Sequence, residues 1–300
     1  MIHSLQVFKI ALASMAIAFR LPTGCAAESN LQNQVTSDFA ELKDVKLYYE
    51  VAGDGQPVVL IHGFTLDRRM WDNEFRKFSQ RFRVIRYDLR RHGNSSGAIR
   101  DFSHVEDLLG LLDKLSIEKA HIIGLSLGGW IATDFSIVHP ERVNSTILID
   151  PYYPISIEGD FERRMRRYFK TGHDDGLTNG LMAWLADPIF APACESEQLK
   201  ERLADIVLRG HGAQGNGVFF LNTEKEKGTV NLKEKSTKDI RCRVLLLIGQ
   251  RDISRFHDIV RELGENVPSI STITVPSASH MANLEHPDFV WNQIETFLSK

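Results

Sequence analysis

From about residue 45 the chain alternates short apolar stretches with longer amphipathic ones. Lys46–Val51, Val58–Ile61, Val84–Tyr87, His121–Gly124, Thr146–Ile149, Val244–Ile248 and Thr272–Val275 have the length and burial pattern of strands. Between them Met70–Ser79, Val105–Leu115, Leu127–Val138, Arg255–Leu263 and Asp288–Phe297 place apolar residues at helical spacing. Regular alternation of this kind predicts an α/β fold, a mostly parallel sheet flanked by crossover helices. The rhythm stops between Asp150 and about Ser236, where only helical patterns such as FERRMRRYFK and QLKERLADIVL occur. A stretch of that length does not fit a loop in a compact domain. It is expected to be an inserted helical cap, 152–236, between core segments 28–151 and 237–300.

Composition adds bounds. The chain has 300 residues, 43% hydrophobic and 25% charged, enough to bury a large core. With 36 basic and 39 acidic residues the net charge is −3, so no global field favours nucleic acid or anionic membrane. The uncharged run Ile10–Phe19 has the length of a signal-peptide core and is too short to span a bilayer, so residues 1–27 are expected to direct export to a periplasmic or secreted location. Cleavage after Ala27 and lipid attachment at Cys25 are the two outcomes of such a leader. Cys194 and Cys242 read as two unpaired thiols with no metal-ligand spacing around them.

Two patterns that suggest ligands are weaker than they look. GHGAQG at Gly210–Gly215 matches a dinucleotide fingerprint on paper, but a helix precedes it where a strand is required, so it reads as a turn and no cofactor is expected. Arg163, Arg164, Arg166 and Arg167 are expected on the solvated side of a helix whose apolar stripe is Phe161, Met165, Tyr168 and Phe169.

The informative stretch is HIIGLSLGGWIA, His121–Ala132. Here a buried strand runs directly into a helix, with Ser126 between Gly124 and Gly128 at the junction. A turn this tight needs glycine around it and lifts the serine hydroxyl clear of the sheet, the geometry of a nucleophile. Further strands end in chemistry of the matching kind: LIHGF ends at His62, Gly63 and Phe64, LLLIGQRD leads to Asp252, and SASHMANLEHP places His280 after the last strand. The order is Ser, Asp, His. Asp150, after an earlier strand, is the rival for the acid. His62, His92 and His286 have other places, in a turn, a loop and a helix start. Glu285 and Pro287 are expected to cap and begin the last helix, Asp88 and Arg90 to tie loops together, and Trp71 to pack.

Together GLSLGG, HGF, DLRRHGNSS, GQRD and SHMANLEHP resemble the α/β-hydrolases with a helical cap, a group that includes small carboxylesterases, enol-lactonases, carbon–carbon bond hydrolases and cofactor-free haloperoxidases. The resemblance runs from about residue 40 to the C-terminus. It departs at Arg91 and at Ser279, positions where that family usually and often, respectively, carries glycine. The resemblance implies a cofactor-free serine hydrolase in which His280 takes the proton of Ser126, Asp252 orients the imidazole, and the backbone N–H groups of Phe64 and Leu127 hold the oxyanion. The partners it implies are a small ester or lactone and water. Met281, Ala282 and Asn283 follow the histidine where carbon–carbon hydrolases commonly have tryptophan, which favours esters and lactones. Of the cap aromatics Tyr152, Tyr153, Trp184, Phe190, Phe219 and Phe220, Tyr152 and Trp184 are expected to line the substrate pocket, with Met281. A ligand receptor that keeps the same fold and triad is the alternative from another functional class.

Overall fold

A computed structural model describes residues 35–97, 102–154, 159–210 and 235–300. The expected leader with Cys25, most of GHGAQG, and Phe219 and Phe220 lie outside the described residues. The core is an eight-stranded sheet: β1 Thr36–Glu41, β2 Lys46–Ala52, β3 Pro57–Ile61, β4 Arg83–Tyr87, β5 Ala120–Leu125, β6 Val143–Ile149, β7 Arg243–Gly249 and β8 Ile270–Val275. Their spatial order is β1-β2-β4-β3-β5-β6-β7-β8. Pairing is antiparallel for β1 with β2 and β2 with β4, and parallel from β4 to β8. The fold is therefore the mostly parallel α/β sheet that the alternating pattern predicts.

Strands β3, β5, β6 and β7 are nearly or wholly buried because helices cover both faces, which is why each reads as a continuous apolar run. The helices are α1 Asp72–Phe78, α2 His104–Lys114, α3 Leu127–Val138, α4 Asp160–Asp174, α5 Leu177–Leu185, α6 Glu197–Arg209, α7 Ser254–Asn266, α8 Ala282–Glu285 and α9 Pro287–Leu298. Helix α3 packs centrally and buries residues on every side, including Thr133, Asp134 and Ser136, consistent with its weak amphipathic pattern. The expected helix at Met70–Ser79 divides into a 3₁₀ turn, Arg68–Trp71, and α1. Pro287 opens α9 at its first position, where its missing N–H has no intrahelical acceptor to lose.

Between β6 and β7 the described residues form α4, α5, α6 and short 3₁₀ turns, with no strand. Contacts tie these helices to the turn after β3 and to the 3₁₀ turn that follows it. Trp184 Nε1 donates to Thr65 Oγ1 at 2.8 Å, and Arg69 pairs with Asp205 at 2.7 Å. No helix among the described residues is long and apolar enough to cross a membrane. Cys194 and Cys242 are unpaired thiols, both half-buried.

Candidate active site

Parallel strands bring their carboxyl ends to one edge of the sheet, and the site is assembled there. Ile61 at the end of β3 pairs with Gly124, and Ile149 at the end of β6 with Leu125, so their following turns are neighbours. At the β5–α3 turn Ser126 has φ 52° and ψ −112°, a conformation that a non-glycine residue rarely adopts. The turn closes only because its flanks lack side chains. A Cβ on Gly124 would stand 2.1 Å from the Gly128 carbonyl oxygen, and one on Gly128 2.2 Å from that of Ile61. The serine is thus held clear of the sheet, as the spacing of GLSLG predicts.

Ser126 and His280 open onto one cavity of about 450 Å³. Behind the imidazole, Asp252 Oδ2 lies 2.9 Å from His280 Nδ1, and the two side chains are 0% and 1% exposed. Oδ1 of Asp252 accepts the Ile253 N–H at 2.7 Å, which fixes the carboxylate's plane. The Phe256 ring packs on the imidazole with centroids 4.0 Å apart. Asp150 stands one strand over and makes no hydrogen bond to His280. Its Oδ1 accepts the Gly249 N–H at 2.7 Å and its Oδ2 has no partner. Burial first, and then the neighbouring Asp252 charge, push the Asp150 carboxyl well above the usual carboxylate range.

The turn after β3 is set by its carbonyls. His62 is fully buried. Its Nε2 accepts the Leu89 N–H at 2.9 Å, so its Nδ1 carries the proton and donates to the Gly63 carbonyl at 2.8 Å. Burial holds this imidazole neutral, pushed down to about 4. Thr65, at φ 61°, donates its hydroxyl to the Phe64 carbonyl at 2.7 Å and accepts from Trp184. In a trans peptide C=O and N–H point opposite ways, so anchoring the Gly63 carbonyl fixes the direction of the Phe64 N–H. Leu127 is the first residue of α3, where a backbone N–H has no intrahelical acceptor. Phe64 and Leu127 both line the cavity.

The expected lining residues Trp184, Tyr152 and Met281 reach the cavity, as does Phe190; Tyr153 is not among its walls. Several lining residues escaped the sequence reading. Phe102 precedes α2 and His104 opens it, and Glu162, Met165, Arg166 and Phe169 come from α4. Two expectations are corrected. Arg164 does not point to solvent: its guanidinium meets Asp187 at 2.7 Å, beside the Tyr168 hydroxyl on the same carboxylate, while the otherwise exposed Arg166 reaches the cavity rim. Glu285 does not cap the last helix, whose cap residue is His286. Its carboxylate accepts the N–H groups of Ser279 and Met281 and the Ser279 hydroxyl at 2.6 Å, clamping both sides of His280. Asp88 and Arg90 have the structural place assigned to them. Asp88 accepts from Arg68 and Asn94, and Arg90 pairs with Asp107 at 2.7 Å. Among the described residues no group of three or more His, Cys, Asp or Glu is placed to hold a metal ion.

This fold and serine turn define a hydrolase. The chain belongs to the alpha/beta hydrolase family, whose model matches residues 58–293. Among curated proteins, it is 28% identical over 267 residues to a Bacillus subtilis (strain 168) protein provisionally named 2-succinyl-6-hydroxy-2,4-cyclohexadiene-1-carboxylate synthase, covering 84% of this chain and 94% of that one. It is 25% identical over 256 residues to an uncharacterised carboxylesterase of the same organism, covering 82% of this chain and 80% of the relative. Among solved structures, the enol-lactonase of Burkholderia xenovorans LB400 superposes with a TM-score of 0.74 at 22% identity, over 88% of this chain and all of that one.

Proposed function

We propose that the protein is a serine hydrolase that cleaves small to medium carboxylic esters or lactones through an acyl-enzyme. The observation that carries this reading is the buried Asp252–His280 pair opening, with the strained Ser126, onto one cavity with mainly apolar walls. A serine hydroxyl is too weak an acid to attack a carbonyl alone. His280 Nε2 accepts its proton during attack and returns it to the leaving alcohol, while Asp252 keeps the imidazole in the Nδ1–H tautomer and offsets its transient charge. The N–H groups of Phe64 and Leu127 receive the developing oxyanion, each contributing about 3 kcal/mol to the transition state. Water activated by the same imidazole then releases the acid. On this reading the helices between β6 and β7 act as a cap that keeps the reacting carbonyl away from bulk water.

The test is hydrolysis of p-nitrophenyl butyrate. Wild type is expected to turn over, and Ser126→Ala to lose at least about 10⁴-fold in kcat while keeping its circular dichroism spectrum. Equal rates in the two proteins, or tight binding of the ester without turnover, would remove this assignment. We further propose, from the apolar run Ile10–Phe19 alone, that the protein works outside the cytoplasm. An exported chain beginning at Glu28 by mass spectrometry is the expected result, and an intact Met1 in the cytoplasm the opposing one.

A further inference from the structure

The cavity contains a second histidine that the mechanism does not use. His104, the first residue of α2, lines the same space as Ser126 and His280 and is 5% exposed. Its Nδ1 is fully enclosed and has no hydrogen-bond partner, and among the described residues no hydrogen bond holds the rest of the ring. Its one ring contact is edge-on to Phe102, with centroids 5.0 Å apart. Several other polar groups around the cavity are engaged. Trp184 Nε1 is held by Thr65, Glu162 by Arg255 at 2.5 Å and by the Gly159 N–H, and His280 Nδ1 by Asp252. A buried polar side chain without a partner is destabilising and rare in native proteins, and one that lines a binding cavity is placed to meet a ligand there.

The chemistry of that ligand follows from the charge state. Burial, with the positive Arg90 and the nearby His62 adding to it, pushes the His104 imidazole down to about 3. A neutral imidazole offers one donor and one acceptor and no net charge. It matches a hydroxyl or a carbonyl oxygen, whereas a carboxylate would gain no ion pair from it. We propose that His104 is a specificity-determining residue that hydrogen-bonds an uncharged hydroxyl or keto oxygen carried by the substrate in addition to its scissile ester. This rests on the ester- or lactone-cleaving reading above and narrows its substrate class to oxygenated acyl or alcohol groups.

The experiment compares p-nitrophenyl butyrate with 3-hydroxybutyrate, and pentanoate with 4-oxopentanoate, in wild type, His104→Leu and His104→Gln. Wild type is expected to favour the oxygenated member of at least one pair by about tenfold in kcat/KM, mainly through KM, the equivalent of one net neutral hydrogen bond. His104→Leu should bring that ratio to within about twofold of unity and raise the melting temperature by a few degrees, because it removes an unsatisfied buried nitrogen. His104→Gln should keep part of the preference, since an amide also donates and accepts. Should the leucine variant not fold, His104→Phe takes its place. A wild-type ratio near unity in both pairs, or a ratio that His104→Leu leaves intact, overturns the proposal while the hydrolase reading stands. If wild type cleaves none of the four esters, it is the hydrolase reading that fails. Calorimetric titration with methyl 3-hydroxybutyrate and methyl butyrate then decides: tighter binding of the hydroxylated ester, lost in His104→Leu, retains the role of His104, and equal binding removes it.

Discussion

Asp150 and Asp252 end neighbouring strands and differ by what each touches. Asp252 meets the imidazole, whereas Asp150 accepts backbone N–H groups, that of Gly249 at 2.7 Å. Asp252→Asn is expected to lower kcat roughly 10⁴-fold, because the amide favours the wrong histidine tautomer. Asp150→Asn should leave turnover within a few fold, since Asp150 makes no hydrogen bond to His280 and burial already pushes its carboxyl toward the neutral form that an amide mimics. Because its folded pKa lies above its ordinary 3.8, Asp150 opposes folding increasingly as pH rises from about 4. The asparagine variant should therefore unfold at a urea concentration less dependent on pH, and a crippled Asp150→Asn beside a nearly silent Asp252→Asn would reverse the assignment. Ser126, His280 and the two candidate acids were legible in the sequence because each follows a strand whose apolar run is unmistakable. His104 was not: its surroundings depend on how α2 packs against α3 and β1, and no local spacing reports it. Glu285 stood close enough to Pro287 to pass for a cap, and only the tight turn of α8 brings it back onto Ser279.

At the scale of elements, periodicity found the strands buried on both faces and also the half-exposed β2 and β8, and missed β1. TSDFAE places one residue in the core, and the rest of that edge strand faces solvent, so it offers no apolar run to read. The antiparallel β1–β2 pair escaped for the same reason. Helix α1 shows a different kind of information that patterning leaves out. Its Glu74 is buried against α8, accepting from Asn283 Nδ2 at 3.2 Å, with Oε2 unpartnered, and burial pushes its carboxyl up to about 7. A folded pKa above the ordinary 4.5 means the contact stabilises fully below pH 4.5 and weakens as pH rises to 7. Glu74→Gln keeps the shape without the charge. It should match wild type near pH 4.5 and exceed it by up to about 3 kcal/mol above pH 7, as urea unfolding at pH 5 and pH 8.5 would show. A constant difference across that range would mean that Glu74 is charged in the folded protein at every pH tested.

For the whole molecule the question is how much substrate the cavity admits. Its walls come from the sheet edge on one side and α4 and α5 on the other, with α5 tied to the turn after β3 through Trp184–Thr65 and α6 to the following 3₁₀ turn through Asp205–Arg69. A volume of about 450 Å³ suits a compact ligand better than a long acyl chain. Phe190, 1% exposed, is part of that wall and packs edge-on to Trp184 with centroids 5.0 Å apart. On a series of p-nitrophenyl esters, kcat/KM is therefore expected to peak at acyl chains of about four to six carbons and to fall at least about tenfold by twelve, since a longer chain must displace packed side chains. Phe190→Ala removes part of the wall. It should move the optimum toward longer chains and destabilise the protein by about 3–5 kcal/mol, the usual consequence of deleting a buried ring. A shift in chain-length optimum without a general loss of activity is the signature of the wall, because a damaged catalytic group would depress every ester alike. Activity that climbs steadily to long chains in wild type, or that appears only on emulsified lipid, would mean that the helices between β6 and β7 part to admit polymers of methylene, and the enclosed pocket would not describe the working enzyme.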